Sequence, residues 1–184
     1  MDDFYLPADE MSVAFRGHPG THDVAWMERV LRAFKNEEDE IVVPVYDKSL
    51  REGLGDRAGC RLLDGSASQL LLEGWCLGFE GRDDNADDPV DRHVRHYADH
   101  IHPLLDAMMI LRPLSFDIAH AWRASAEPSN GMNEEQLRRF VDHYMPLYER
   151  YCPALYANPP VRPSLLLDLN DRREVHAIGN LFLA

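Results

Sequence analysis

Two short apolar runs lead into charged residues. Ile41-Val42-Val43-Pro44-Val45-Tyr46 runs into Asp47 and Lys48, and Leu70-Leu71-Leu72 runs into Glu73. A carboxylate, an ammonium and a second carboxylate at one rim suit a charged substrate and a metal ion. Each run is apolar on consecutive positions and bounded by turn residues, the pattern of a strand buried on both faces of a parallel sheet. In such sheets ligands bind just past the carboxyl ends of the strands. Strands at 41–46 and about 69–75 would therefore bring Tyr46, Asp47, Lys48 and Glu73 to a binding rim. The polar stretch between them, 47–68, is long for a simple loop, and connections of that length are often functional.

Other chemistry-bearing groups carry less. His93, His96 and His100 fall near one helix face, with His102 beyond them. No cysteine or clear carboxylate completes a tetrahedral set, so an ordinary helix surface is favoured over zinc. Asp83, Asp84, Asp87, Asp88 and Asp91 form an acidic loop without the invariant glycine or terminal glutamate of an EF-hand. Tyr144, Tyr148 and Tyr151 read as core rather than as a stacking platform, and no G-x-S-x-G occurs.

The elements that must position these groups follow from periodicity and caps. Thr21 caps a helix to about Asn36, with Val24, Met27, Leu31 and Phe34 on its inner face. A second helix spans about 90–105, with Val94, Tyr97 and Ile101 at helical spacing. Ala107 to Leu111 is a buried strand. Ser115 caps a helix that Pro128 to Gly131 breaks. Asn133 and Gln136 form a capping box for the longest helix, which Pro146 should kink or restart. Ser164 to Leu169 is a final buried strand, and 172–184 adds an edge hairpin. Strands alternating with helices imply an α/β fold with a mostly parallel sheet.

The 184 residues carry a net charge of −13 and a hydrophobic fraction of 45%. That charge argues against nucleic acid or an anionic membrane as the main partner. Three scattered cysteines without a C-x-x-C suggest reduced thiols in a cytoplasmic protein. One domain over 1–184 is expected, with a lid-like helical region at about 115–152.

Several stretches resemble the D-glycerate 3-kinases and their relatives in the P-loop kinase group that includes uridine kinase and pantothenate kinase. They are Asp2-Asp3-Phe4-Tyr5-Leu6, then Arg16-Gly17-His18-Pro19-Gly20-Thr21-His22-Asp23, then Tyr46-Asp47-Lys48-Ser49 with Gly55-Asp56-Arg57, and Leu72-Glu73-Gly74-Trp75 through Phe79. Phe116-Asp117 with Ala121-Trp122-Arg123, Gly131-Met132 through Pro146, and Leu155 to Asn158 support them in family order. The resemblance implies a three-layer P-loop NTPase-like fold and transfer of the ATP γ-phosphate to a hydroxyl of D-glycerate or a similar acceptor. It implies Asp2 as base, Asp2 and Glu73 as holders of Mg²⁺, and Lys48 and Arg123 as phosphate-neutralising groups, with Arg123 on the ATP side. Arg16, His18, Thr21, Asp23, Tyr46, Asp47 and Arg57 would bind the acceptor.

One family feature is absent. No G-x-x-x-x-G-K-[ST] occurs, and Gly53 to Gly59 lacks the following Lys-Ser pair. The chain therefore resembles the C-terminal part of such a kinase and is expected to be inactive alone. The alternative is a non-catalytic, kinase-derived binding module or a partner-dependent fragment. An apolar patch is expected beside the 69–75 run, where a second copy or a missing N-terminal segment would pack.

Overall fold

Asp23, not Thr21, starts the first helix. Its carboxylate accepts from the Trp26 amide at 2.8 Å, and α1 runs Val24–Lys35. Thr21 closes the preceding turn instead, donating its hydroxyl to the His18 carbonyl at 2.8 Å and accepting from the Gly17 amide. The computed structural model describes residues 1–11, 16–81, 87–126 and 132–183. They fall into two compact units, Met1–Leu105 and Asp106–Ala184.

In the first unit α1 buries Val24, Met27, Val30 and Leu31, as its periodicity requires. Strand β1 (Glu40–Asp47) pairs antiparallel with β2 (Asp56–Asp64), from Glu40↔Asp64 to Asp47↔Asp56. This corrects two expectations. The 41–46 run is not a doubly buried parallel strand: Ile41 and Val43 are buried while Val42 is exposed. The 47–68 stretch is not one connection but a reversal followed by a strand. Asp47 starts the reversal by accepting from the Ser49 amide and hydroxyl, and Gly53 and Gly55 take positive φ within it.

The 69–75 run is not a strand. Residues 69–74 have no ladder partner among the described residues, and a turn follows at 75–78. A strand needs a neighbour for its amides and carbonyls, and apolar side chains alone do not supply one. Leu71 stands 91% exposed, so apolar surface is bare here. Helix α2 (Pro89–His100) starts at Asp88, whose carboxylate accepts from the Val90 amide. It buries Val94 and Tyr97. Asp83 and Asp84 lie outside the described residues.

The second unit is built on β3 (Met108–Pro113), α3 (Ile118–Ala126), α4 (Glu134–Ala157), β4 (Ser164–Leu169) and β5 (Val175–Phe182). β3 and β4 are parallel, with both helices in the crossover between them, as parallel pairing demands. β5 returns antiparallel along β4. The expected strand at 164–169 and the expected edge hairpin are both present. The Asn133–Gln136 capping box is formed in both directions. Pro146 does not end α4, which continues to Ala157. The expected break at Pro128 to Gly131 lies outside the described residues.

One face of this sheet buries Met108, Ile110 and Leu166, while Met109, Leu111, Ile178 and Leu181 on alternate positions are exposed. Register aligns the exposed residues in two rows, Met109–Leu165–Leu181 and Leu111–Leu167–Ile178. Among the described residues no helix is long and apolar enough to cross a membrane.

Candidate functional site

The N-terminal turn is pinned from behind. Residues Asp2–Phe4 form one 3₁₀ turn, closed by the Phe4 amide on the Met1 carbonyl at 2.8 Å. Phe4 and Tyr5 are buried. Main-chain bonds join this segment to 21–23: Leu6 donates to Thr21 at 2.8 Å and Asp23 donates to Phe4 at 2.7 Å. The Met1 ammonium donates to the Glu73 carbonyl. Asp2 and Asp3 therefore sit in a fixed turn.

Each of these two carboxylates has assigned partners. Asp2 accepts from the Tyr5 hydroxyl at 2.9 Å through Oδ1 and pairs with Lys48 through Oδ2. Asp3 accepts from the Tyr46 amide at 3.3 Å and lies 3.5 Å from Arg61. Burial pushes the Asp2 carboxyl up, but the Lys48 and Tyr5 hydrogen bonds outweigh it and hold the group below the usual carboxylate range. Asp2 is thus ionised at neutral pH.

Asp2, Asp3, Tyr46, Asp47, Lys48 and Glu73 line one cleft of about 710 Å³, with Met27, Leu31, Val43 and Leu72 among its apolar walls. Pockets of this size suit small ligands. Glu73 reaches the cleft on an extended segment rather than at a strand end. Among the described residues no cluster of three metal-ligating side chains forms. Asp2 and Glu73 are nevertheless oxygen donors on one cleft, and Mg²⁺ is commonly held by one or two carboxylates together with substrate phosphates.

Other residues singled out in the sequence stand elsewhere. Asp23 does not line the cleft. One oxygen caps α1 and the other pairs with Arg57 at 2.9 Å. Arg57 also donates to the Tyr5 carbonyl at 3.1 Å and stacks on Trp26, 4.7 Å from its ring centre. This pair clamps the hairpin to the start of α1. Arg16 donates to the Gly53 and Leu54 carbonyls and lies over the Tyr46 ring. His18 Nδ1 lies 3.1 Å from the Pro19 carbonyl. Arg123, in the second unit, lies over Phe140 at 5.0 Å.

The histidine run has separate structural partners. His100 bonds Glu28 at 2.8 Å and His102 accepts from the Gly78 amide at 3.1 Å. His93 packs where a Cβ on Gly20 would sit, 2.6 Å from its ring, and Gly20 has φ of +98°. Position 20 is therefore closed to a side chain.

Sequence reasoning missed the layer behind Asp2. Tyr5 stacks on His22 with ring centres 4.6 Å apart. His22 Nδ1 lies 2.9 Å from the Tyr97 hydroxyl, which accepts from the Gly20 amide at 3.0 Å. Burial lowers the His22 pKa to about 4, so the ring is neutral at pH 7. Tyr97 was legible only as one member of an apolar helix stripe.

No family profile matches the sequence. The chain is similar to the chloroplastic D-glycerate 3-kinase of Arabidopsis thaliana, 30% identical over 207 residues covering 94% of this chain and 45% of that protein. It therefore spans less than half of that relative's length. It is also similar to the "probable ATP-dependent kinase TDA10" of Saccharomyces cerevisiae, 30% identical over 219 residues covering 96% of this chain and 74% of that protein. The solved D-glycerate 3-kinase from Cryptococcus neoformans var. grubii matches with a TM-score of 0.86 at 25% identity, over 98% of this chain and 78% of that one. The fold is the mixed α/β fold of the P-loop kinases. The chain belongs to the D-glycerate 3-kinase family.

Proposed function

We propose that this chain forms the acceptor side of a small-molecule kinase site, whose reaction places the γ-phosphate of ATP on a hydroxyl of D-glycerate or a similar hydroxy acid. The observation that carries this reading is the convergence of Asp2, Lys48 and Glu73 on one cleft. Phosphoryl transfer needs a base for the acceptor hydroxyl, cations for the phosphate, and little covalent chemistry from the protein. Asp2 lines the cleft and is positioned by Tyr5, so it is the group that would accept the hydroxyl proton. Lys48 serves as the cation for the acceptor carboxylate or the incoming phosphate. Asp2 and Glu73 are the residues that would hold Mg²⁺ with the nucleotide phosphates; when bound, the ion neutralises phosphate charge. Tyr46 and Asp47 line the acceptor side, while Asp23 and Arg57 shape its wall indirectly.

Nucleotide phosphates in this fold are cradled by a G-x-x-x-x-G-K-[ST] loop, which these 184 residues do not contain. The chain by itself is thus expected to bind the acceptor without transferring phosphate. A second reading is that these residues form a binding module whose donor side lies on other polypeptide. Calorimetry with D-glycerate, followed by an ATP and Mg²⁺ turnover assay, separates the readings. Binding without turnover supports the partner-dependent module, and binding with turnover supports a self-sufficient kinase. If no hydroxy acid binds and Asp2→Asn changes nothing, the acceptor reading fails.

A further inference from the structure

Arg61 lies outside every stretch that carries the family resemblance, yet it lines the cleft. Strand geometry puts it there. Arg61 on β2 stands opposite Val43 on β1, and residues directly opposite in an antiparallel pair share a face. Val43 is buried, and Val43, Ala58 and Leu63 line the same cleft. An arginine among apolar neighbours lays its stem along them and keeps its charged head in the open.

That head is lightly engaged. One of its nitrogens lies 3.5 Å from Asp3 Oδ2, with the two side chains 57% and 44% exposed. A half-exposed ion contact of that length contributes little. Asp3 is itself anchored, its other oxygen accepting from the Tyr46 amide at 3.3 Å. It therefore aims the guanidinium without consuming its donors. The other cations among the described lining residues are held more closely: Lys48 pairs with Asp2, and the Met1 ammonium donates to the Glu73 carbonyl. The cleft also carries the carboxylates of Asp2, Asp3, Asp47 and Glu73. An anionic ligand meets repulsion there unless a cation receives it. A guanidinium offers a planar fork of N–H donors that matches a carboxylate two bonds at a time.

We propose that Arg61 binds the carboxylate of the acceptor hydroxy acid and so sets the preference of the cleft for acids over neutral polyols. This rests on the acceptor reading given above and divides its charges. Arg61 takes the acceptor carboxylate, and Lys48, beside Asp2, is left for the phosphate. A neutral analogue leaves the fork without its partner, which is where the discrimination arises.

The test uses the intact chain with two ligands, D-glycerate and its neutral amide, D-glyceramide. Calorimetry should show that the wild type binds the acid about tenfold more tightly than the amide. Arg61→Gln should lower affinity for D-glycerate by about tenfold and leave the amide unaffected, so that the preference disappears. Arg61→Lys keeps the charge without the fork and should recover part of the loss. In the wild type the Arg61 Nε–H resonance should move with D-glycerate, in step with the binding curve, and stay still with the amide. The melting point of each variant checks folding, and if a variant fails to fold the wild-type spectra decide. D-glycerate binding that is unchanged in Arg61→Gln, an equal loss for both ligands, or an Arg61 resonance that ignores D-glycerate overturns the assignment and leaves the acceptor reading standing. If the wild-type chain binds neither ligand, both fall together.

Discussion

The two units hold their sheets by different means. In the first, side chains bind the hairpin to its surroundings: Arg57 to Asp23 and the Tyr5 carbonyl, Asp3 to the Tyr46 amide, and Asp56 to the Ala8 amide. In the second, three strands are joined by main-chain ladders, with Arg112 and Asp168 paired across β3 and β4. The first unit leaves few of its cleft carboxylates free to swing. The second leaves one apolar sheet face bare. Polar side-chain networks fix direction, which a reacting group needs, whereas ladders fix spacing and let a face remain generic.

Core truncation is the largest way to probe that contrast. Met27→Ala in α1 and Leu166→Ala in β4 each remove a side chain that is 0% exposed. Each should cost about 2–5 kcal/mol. Chemical denaturation followed by unit-specific fluorescence should show whether each loss stays within its own unit. A single shared transition for both variants would mean that the units do not unfold separately.

Acid should separate the units next. Burial lowers His22 and His102 from the ordinary histidine value to about 4, and both lie in the first unit. Between pH 4 and 6.5 the unfolded chain therefore binds more protons than the folded one. Stability is full above pH 6.5 and falls as pH drops through that window, by an order of about 3 kcal/mol per histidine. Hydrogen exchange across this range should open the first unit before the second. Equal opening in both would contradict the assignment.

Arg57→Ala should follow, at about 1–3 kcal/mol, since it removes a partly buried ion pair, a bond to a carbonyl and a cation–π contact together. Its loss should also loosen Asp23, and a helix cap that keeps its amide protection would count against that link. Ile178→Lys on the bare face should be smallest, within about 0.5 kcal/mol. Its visible effect should be less self-association in sedimentation experiments; unchanged association would show that this face is not the sticky one.

The sequence disclosed elements whose cause is local. The Asn133–Gln136 cap and the strand at 164–169 depend on neighbouring residues and appear where expected. Elements decided by distant partners were misread. Ile41 to Tyr46 is apolar enough to pass for a doubly buried strand, yet its partner is Asp56–Asp64, whose charges and glycine disguise a strand as a loop. Leu70 to Leu72 has the side chains of a strand but no neighbour. In the site, motif resemblance pointed to Asp2, Lys48 and Glu73, which share the cleft. It also grouped Asp23 and Arg57 with them, though each is occupied by the other. The His22–Tyr97 contact spans 75 residues, and no local pattern announces it.

Gly20 gives this packing a further consequence. Its missing side chain is the gap that lets the ring of His93, and with it α2, come close enough for Tyr97 to reach both Gly20 and His22. A single added carbon there would act as a wedge, prising α2 from the 16–23 segment. A cavity the size of one methyl group, rather than any contact, thus sets how closely this helix and turn can dock.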